Sequence, residues 1–259
     1  MKYDDFEKSI YEDLAWRKKE ISELYILTSD KKNEVLMKSM ILVLYAHWEG
    51  YIKKSSKLYI RYISEKKVNI CDLTPNFKAI VLKSAISSAI DVKESLNLSK
   101  ELQFMVKYHQ MQKKRFKVAI DIDNEFDLDI IDTHNNLNPK VFKNILNILG
   151  VKYVDSLSSR ENYINSSLLN NRNAIGHGSK FSKDAQNDFD LCIEDISELK
   201  AFILEVLDFY TCMLLDYIGY EFYLECKESE KNIYDNKKNN EFENILERID
   251  QQNSSKNIS

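Results

Sequence analysis

The sequence is poor in the residues that turn or break helices. Its 259 residues include only 5 glycines and 2 prolines, whereas average usage is about 7% glycine and 5% proline. Because these residues mark most turns, their scarcity argues against a fold rich in turns and favours helices. Apolar residues at helical spacing predict a first helix over residues 4–28 and a long core helix from Glu34 to about Ser64.

The cysteines are few and scattered. No two of them form a CxxC pair, which argues against a disulfide framework and against a cysteine zinc site. The four are Cys71, Cys192, Cys212 and Cys226. The acidic residues between 121 and 132 lack the glycine and the terminal glutamate of a Ca²⁺ loop. We therefore expect no metal and no other cofactor.

Long hydrophobic runs and an excess of positive charge are also missing. No stretch approaches the roughly 18 uncharged apolar residues that span a bilayer, and the first residues do not form a basic region followed by an apolar one. We expect a cytoplasmic protein without membrane contact. The formal net charge of −4 excludes binding to a polyanion by overall charge, so any RNA contact requires a local basic groove.

Two composition changes divide the chain. The alternating stretch "FKVAIDIDNEFDLDII" predicts a short irregular or β-like excursion around 116–131. After Lys227 the sequence becomes polar, so we expect one all-α domain over 1–226 and a polar, partly disordered tail over 227–259.

The stretch "RNAIGH" is the strongest candidate site. It contains Arg172, Asn173 and His177, and Gly178 is suited to the left-handed position just after a helix. A guanidinium can neutralise charge on phosphoryl oxygens while an imidazole moves a proton, which are the needs of phosphodiester cleavage. Alternatively, Arg172 is a surface cation and His177 completes a helix end.

Other residues have two interpretations each. Glu49 either forms a surface ion pair with Lys53, four residues later, or is half-buried and orients Arg172 or His177. Basic residues at 53 and 107–117 can follow an RNA backbone, although acidic residues after 120 offset the second group. The RNA-binding candidates are Lys53, Lys113, Lys114 and Arg115.

Around these residues the sequence resembles the HEPN superfamily, whose signature is an Arg, four to six residues that often begin with a polar one, and a His. Three further stretches resemble its bacterial RiboL-PSP and MAE-like branch, in the same order before "LLNNRNAIGHG". They are "DLAWRKKEI" (Asp13–Ile21), "YAHWEGYIKKSSKLYIRYI" (Tyr45–Ile63) and "DTHNNLNPKVFKNILNILG" (Asp132–Gly150). The resemblance spans roughly residues 10 to 215.

This resemblance implies an all-α HEPN bundle that forms a homodimer and cuts RNA without a metal. The ribose 2′-hydroxyl attacks, which leaves a 2′,3′-cyclic phosphate and a 5′-hydroxyl. His177 would be the acid or base, Arg172 the stabiliser of the transition state and Asn173 an aid to orientation. Such endoribonucleases serve as toxins or antiviral effectors, and some have an antitoxin or regulatory partner. A catalytically inactive HEPN module that binds nucleotide or protein is the alternative.

Overall fold

The computed structural model describes residues 1–31, 33–90, 99–124, 127, 129–178 and 192–256. Within these ranges the chain is helical and forms no strand, which confirms the all-α prediction. The helices are α1 (Tyr3–Lys31), α2 (Glu34–Lys66), α3 (Pro75–Ile90), α4 (Ser99–Gln112), α5 (Pro139–Leu149), α6 (Asp155–Ser159), α7 (Glu161–Tyr163), α8 (Asn171–Gly176), α9 (Ile193–Gly219) and α10 (Glu228–Lys256). The sequence pattern also predicts a long helix from Asp184 to Tyr220, whose start lies outside the described residues and which is seen as α9 from Ile193.

Helices α1, α2 and α9 form the centre of the bundle, because each presents a stripe of apolar side chains to the other two. Trp48 of α2 is fully buried, and its indole N–H donates to the carbonyl oxygen of Leu137 at 3.0 Å. The apolar positions predicted for α2 are all buried, which confirms the predicted core helix. They are Ile41, Leu44, Tyr45, Trp48, Ile52, Tyr59 and Tyr62.

The junction of α1 and α2 differs from the predicted turn and helix cap at residues 28–30. The Thr28 hydroxyl donates to the Leu24 carbonyl at 2.8 Å, so it supports the helix instead of capping the next one, and α1 continues to Lys31. Asn33 is the cap of α2, since its side chain accepts from the Val35 N–H at 2.8 Å.

The excursion around 116–131 is irregular where the structure describes it, and an isolated bridge between Asn69 and Arg115 lies just before it. The Phe116 N–H donates to the Val68 carbonyl at 2.7 Å. Lys57 of α2 donates to backbone carbonyls of the excursion, including that of Asn124 at 2.8 Å. The segment is therefore held along α2 without a sheet.

The sequence predicts a helix that opens at Asn138-Pro139, runs through Leu149 and ends at Gly150, and α5 confirms this. Asn138 caps it by accepting from the Val141 N–H at 2.9 Å, Pro139 occupies the first turn, and Gly150 adopts a left-handed φ of 73°. A Cβ at Gly150 would lie 2.8 Å from the Asn76 side chain, so both the conformation and the space favour glycine.

The C-terminal segment is more ordered in its packing than its polar composition suggested. Residues Glu228–Lys256 form α10, which docks on α9 instead of standing apart as a tail. Phe242 is fully buried and stacks on Phe209 with ring centroids 4.1 Å apart. The Tyr217 hydroxyl donates to the buried Asp235 carboxylate at 2.5 Å. A few buried side chains thus fix a helix whose average composition is hydrophilic.

Candidate functional site

The helical segment that leads to "RNAIGH" includes a stretch of π-helix. Where the sequence predicts one α-helix from about Ser158 to His177, the structure has α6, α7, a π-helical segment (Ile164–Asn170) and α8. Leu168 and Leu169 anchor the π-helical segment in the core. Such segments are rare and are frequent at functional sites, so this one directs attention to the residues that follow it.

Arg172 lies on the surface of α2 and is half-buried. Its guanidinium carbon is 4.6 Å from the centre of the Tyr45 ring. Nη1 donates to Asn173 Oδ1 at 2.8 Å, and Nη2 donates to the Asn135 carbonyl oxygen at 3.4 Å. The cation is therefore held by a ring and two oxygen acceptors, and Asn173 is in contact with it as an orienting residue would be.

His177 follows the last residue of α8 and is exposed. Its backbone N–H donates to the Asn173 carbonyl at 3.0 Å, and Gly178 has the predicted left-handed φ of 80°. The structure thus places His177 just after the helix, four residues beyond Asn173 and five beyond Arg172, which is about 140° around the helix axis from Arg172 at about 100° per residue. The chain from Ser179 to Leu191 lies outside the described residues.

Glu49 lies next to this group, one helical turn after Tyr45. It is half-buried, and its Oε1 atom is buried without a hydrogen-bond partner. Burial raises the pKa of Tyr45 to about 12 and the Glu49 carboxylate adds to the rise, while a hydrogen bond from the Leu137 N–H and the charge of Arg172 oppose it. Glu49 therefore stands beside the ring that supports Arg172, and its auxiliary role stays a prediction.

The RNA-binding candidates separate into two places. Lys53 lines a cavity of about 450 Å³ that Glu49 also lines. Arg115 donates to the Lys67 carbonyl at 2.9 Å, and Lys113 and Lys114 precede it. Lys67 follows the end of α2, roughly 30 Å from Tyr45 at about 1.5 Å per residue. The second group is therefore not beside Arg172, because the hydrogen bonds of the excursion hold it at the opposite end of α2.

The comparison with known families decides the membership of the chain. The family model for MAE_28990-like HEPN domains matches residues 6–223, which include most of α1, all of α2 to α9 and the whole "RNAIGH" stretch. The chain belongs to this HEPN family. No curated protein and no solved structure matches it.

Two further properties of this HEPN chain concern membranes and metals. Every helix in the described ranges is too short or too polar to cross a bilayer. Nor do the described residues bring three or more His, Cys, Asp or Glu side chains close enough together to hold a metal ion.

The HEPN bundle also contains a second arginine and histidine. From its place beside Trp48 the sequence favours a packed or surface role for His47 over that of a base, but it does not predict the contact with Arg17. Arg17 is buried, donates from Nε to Asp13 Oδ2 at 2.8 Å, and places Nη1 3.3 Å from His47 Nδ1. His47 Nε2 lies 2.8 Å from Glu20 Oε2. We refer to Asp13, Arg17, Glu20 and His47 as the Arg17 cluster.

The hydrogen bonds of the Arg17 cluster define the state of its histidine. A guanidinium has only donors, so His47 Nδ1 must accept the hydrogen bond from Arg17. The proton of the neutral ring is therefore on Nε2, which donates a hydrogen bond to Glu20. Burial and the charge of Arg17 lower the pKa of His47 from 6.5, although Glu20 and Asp13 act in the opposite direction. His47 is therefore a neutral, fixed part of the fold and not an exposed base.

Gly50 is the sequence signal that could have revealed this cluster. It stands in the middle of α2, where glycine is unfavourable by about 1 kcal/mol relative to alanine. A Cβ there would lie 2.8 Å from Arg17 Nη1, so the missing side chain is what lets the guanidinium lie against α2.

Proposed function

We propose that this HEPN protein is a metal-independent endoribonuclease that cleaves RNA with Arg172 and His177. The observation that carries the proposal is the arrangement at the end of α8. A half-buried guanidinium is fixed over the Tyr45 ring, and an exposed histidine follows five residues later, just after the end of the same helix. Two of the five N–H donors of the guanidinium contact the described neighbours, which leaves others for the oxygens of a phosphate.

The proposed reaction is an attack of a ribose 2′-hydroxyl on the adjacent phosphorus. A bond from O2′ to phosphorus forms and the bond to O5′ breaks, so the products carry a 2′,3′-cyclic phosphate and a 5′-hydroxyl. A base removes the 2′-hydroxyl proton and an acid protonates the leaving O5′, and His177 takes part in this proton transfer. Arg172 stabilises the negative charge that builds on the non-bridging oxygens, and Asn173 orients Arg172.

The biological role that we propose is that of a toxin or antiviral effector, which acts in the cytoplasm as a homodimer. Exposure of His177 supports the dimer proposal, because a second copy can place its own Arg172 and His177 across a shared cleft. An antitoxin or another regulatory partner would restrain the activity. Equilibrium sedimentation measures the dimer directly, and growth arrest on expression that requires Arg172 would support the effector role.

The proposed activity is tested by incubating purified protein with end-labelled RNA in EDTA and identifying the product ends. We expect cyclic phosphate and 5′-hydroxyl ends. Removing a positioned donor from a developing oxyanion costs about 10²- to 10³-fold in rate, so Arg172→Ala and His177→Ala should each lower cleavage by at least about 100-fold. His109→Ala and Arg61→Ala, at exposed positions away from α8, are the matched controls. Unchanged cleavage by Arg172→Ala or His177→Ala would refute the assignment.

An inactive HEPN module that binds nucleotide or protein is the second candidate. The contacts of Arg172 with Asn173, Asn135 and Tyr45 within one chain favour it, since a guanidinium already held by its own subunit also suits a structural role. Binding of RNA without any cleavage, at every ratio of protein to RNA, would support this candidate over the endoribonuclease.

A further inference from the structure

A cavity opens between α1, α2 and residues of the segment 122–135, and it reaches Asn135, which contacts Arg172. Its volume is about 450 Å³, within the range of roughly 300–1,000 Å³ typical of ligand pockets. Asn135 lines it, and the carbonyl of the same residue accepts a hydrogen bond from Arg172. From Glu49 the cavity follows α2 as far as Lys57, which is roughly 12 Å at about 1.5 Å per residue. A chain bound at Arg172 can therefore continue into it.

The side chains that line the cavity carry a small excess of positive charge. Four basic side chains face three acidic ones, a formal net charge of +1. One of the acids, Asp13, is bound by Arg17, Lys54 and the Trp16 indole N–H, and these hydrogen bonds lower its pKa although burial alone would raise it. Asp13, Arg17 and Lys54 therefore compensate one another except for one positive charge, and that excess favours an anionic ligand. The basic residues are Arg17, Lys53, Lys54 and Lys57, and the acidic ones are Asp13, Glu49 and Asp123.

Trp16 provides a flat apolar surface in this charged setting. Its side chain lines the cavity and the residue is 48% exposed, whereas the other tryptophan, Trp48, is fully buried. The Arg17 guanidinium lies 4.6 Å from the centre of a Trp16 ring, and the indole N–H donates to Asp13 at 3.0 Å. The ring is thus fixed in position before any ligand arrives. Fixed exposed aromatics beside basic groups are where single-stranded nucleic acids stack their bases.

Glu49 adds a carboxylate at the end of the cavity next to Asn135. The residue is half-buried and lines the cavity, although its Oε1 atom is itself buried. An ionised carboxylate only accepts hydrogen bonds, so at this point it suits a ligand that brings a hydroxyl or amino donor. A ribose hydroxyl and the amino group of a base are such donors.

We propose that this cavity binds the nucleotide adjacent to the cleaved phosphate of single-stranded RNA, with its base stacked on Trp16. The proposal rests on the proposed function for the identity of the ligand. The backbone of that nucleotide lies along Lys53 and Lys54, and Glu49 accepts a hydrogen bond from it. The cavity thereby selects unpaired RNA, because a base within a duplex cannot reach the Trp16 ring.

The test measures the binding of a short fluorescein-labelled single-stranded RNA by fluorescence anisotropy, in the His177→Ala protein so that cleavage does not consume the probe. Base stacking on an aromatic contributes about 1–3 kcal/mol, so Trp16→Ala should raise Kd at least about fivefold. Trp16→Tyr should retain most of the affinity. Tyr11→Ala is the matched control, because Tyr11 is on the same helix, is 46% exposed and lies outside the cavity.

Several outcomes would overturn the inference. An unchanged Kd in Trp16→Ala, equal weakening by Tyr11→Ala, or no RNA binding by the parent protein each contradict it. Loss of affinity in Trp16→Tyr equal to that in Trp16→Ala also contradicts stacking. If Trp16 proves irrelevant while His177→Ala abolishes cleavage, the proposed function stands without this subsite. If RNA binds through Trp16 while His177→Ala still cleaves, only the assignment of His177 fails.

Discussion

The molecule contains two arginine–histidine pairs that differ in almost every respect. Arg17 and His47 come from separate helices, are both buried, and bind each other and two carboxylates. Arg172 and His177 come from one short stretch, and they are half-buried and exposed, respectively. An arginine and a histidine thus stabilise the fold where other protein groups satisfy their hydrogen bonds, as at Arg17 and His47. Where they remain partly open to solvent, as at Arg172 and His177, they are available for a ligand.

The largest difference between the pairs should appear in stability. Arg17→Ala leaves the buried Asp13 carboxylate with only Lys54 and Trp16 as partners. Removing one partner of a buried ion pair costs about 3–5 kcal/mol, so we expect a loss of about 3 kcal/mol in the free energy of unfolding measured with urea. Arg172→Ala should cost no more than about 1 kcal/mol. Equal losses would remove the distinction between a structural and a functional arginine.

A second comparison uses two glycines, one near each pair. Gly50→Ala forces Arg17 to move, because the new Cβ would lie 2.8 Å from Nη1, which costs about 1–3 kcal/mol. Alanine gains about 1 kcal/mol over glycine inside a helix, so we expect a net destabilisation of up to about 2 kcal/mol. Around Gly176 no atom lies within 4 Å of the corresponding position. Gly176→Ala should therefore leave stability unchanged or raise it by up to about 1 kcal/mol. If both variants melt alike, the close approach of Arg17 to α2 is not a constraint.

The third test changes pH. The pKa of His47 is lowered in the folded protein by burial and by Arg17, so the unfolded chain binds a proton more readily. Its contribution to stability is complete above the unfolded value of 6.5 and is lost as pH falls below that value toward the folded pKa. Urea unfolding at a series of pH values should show a shallower decline in His47→Gln than in the wild type. Parallel curves would contradict a neutral, buried His47.

The smallest expected effect concerns the ring beneath Arg172. Tyr45→Leu removes the cation–π contact, which contributes about 0.5–1 kcal/mol, and should lower the rate of RNA cleavage by about 2- to 5-fold. Tyr45→Phe keeps the ring and should reduce the rate less than Tyr45→Leu does. The initial rate on a labelled RNA gives both values. A greater loss in Tyr45→Phe than in Tyr45→Leu would show that the hydroxyl, and not the ring, matters.

The fold could be predicted from the sequence where the signal is local. The apolar stripes of α1 and α2 depend on spacing within one helix, and the start and end of α5 depend on Asn138, Pro139 and Gly150. Docking of α10 could not be predicted, because its average polarity hides the two buried apolar positions, Phe242 and Leu246, that fix it on the bundle.

In the candidate site, too, the local features could be predicted from the sequence and the tertiary contacts could not. Arg172, Asn173 and His177 are contiguous, so their pattern is visible in the sequence. The π-helical segment before them and the ring of Tyr45 beneath Arg172 depend on tertiary packing, which spacing does not reveal. The Arg17 cluster joins residues 30 positions apart. Only the mid-helix Gly50 marks that contact, and glycine alone does not say what approaches it.

The docking of α10 has a practical consequence for anyone who prepares this protein. The family match ends at residue 223, which invites a shortened fragment that stops there. Such a fragment would uncover the Phe209 ring and deprive the Tyr217 hydroxyl of its carboxylate acceptor. An expressed fragment should therefore extend at least through Leu246, so that the part that matches the family keeps the helix that covers it.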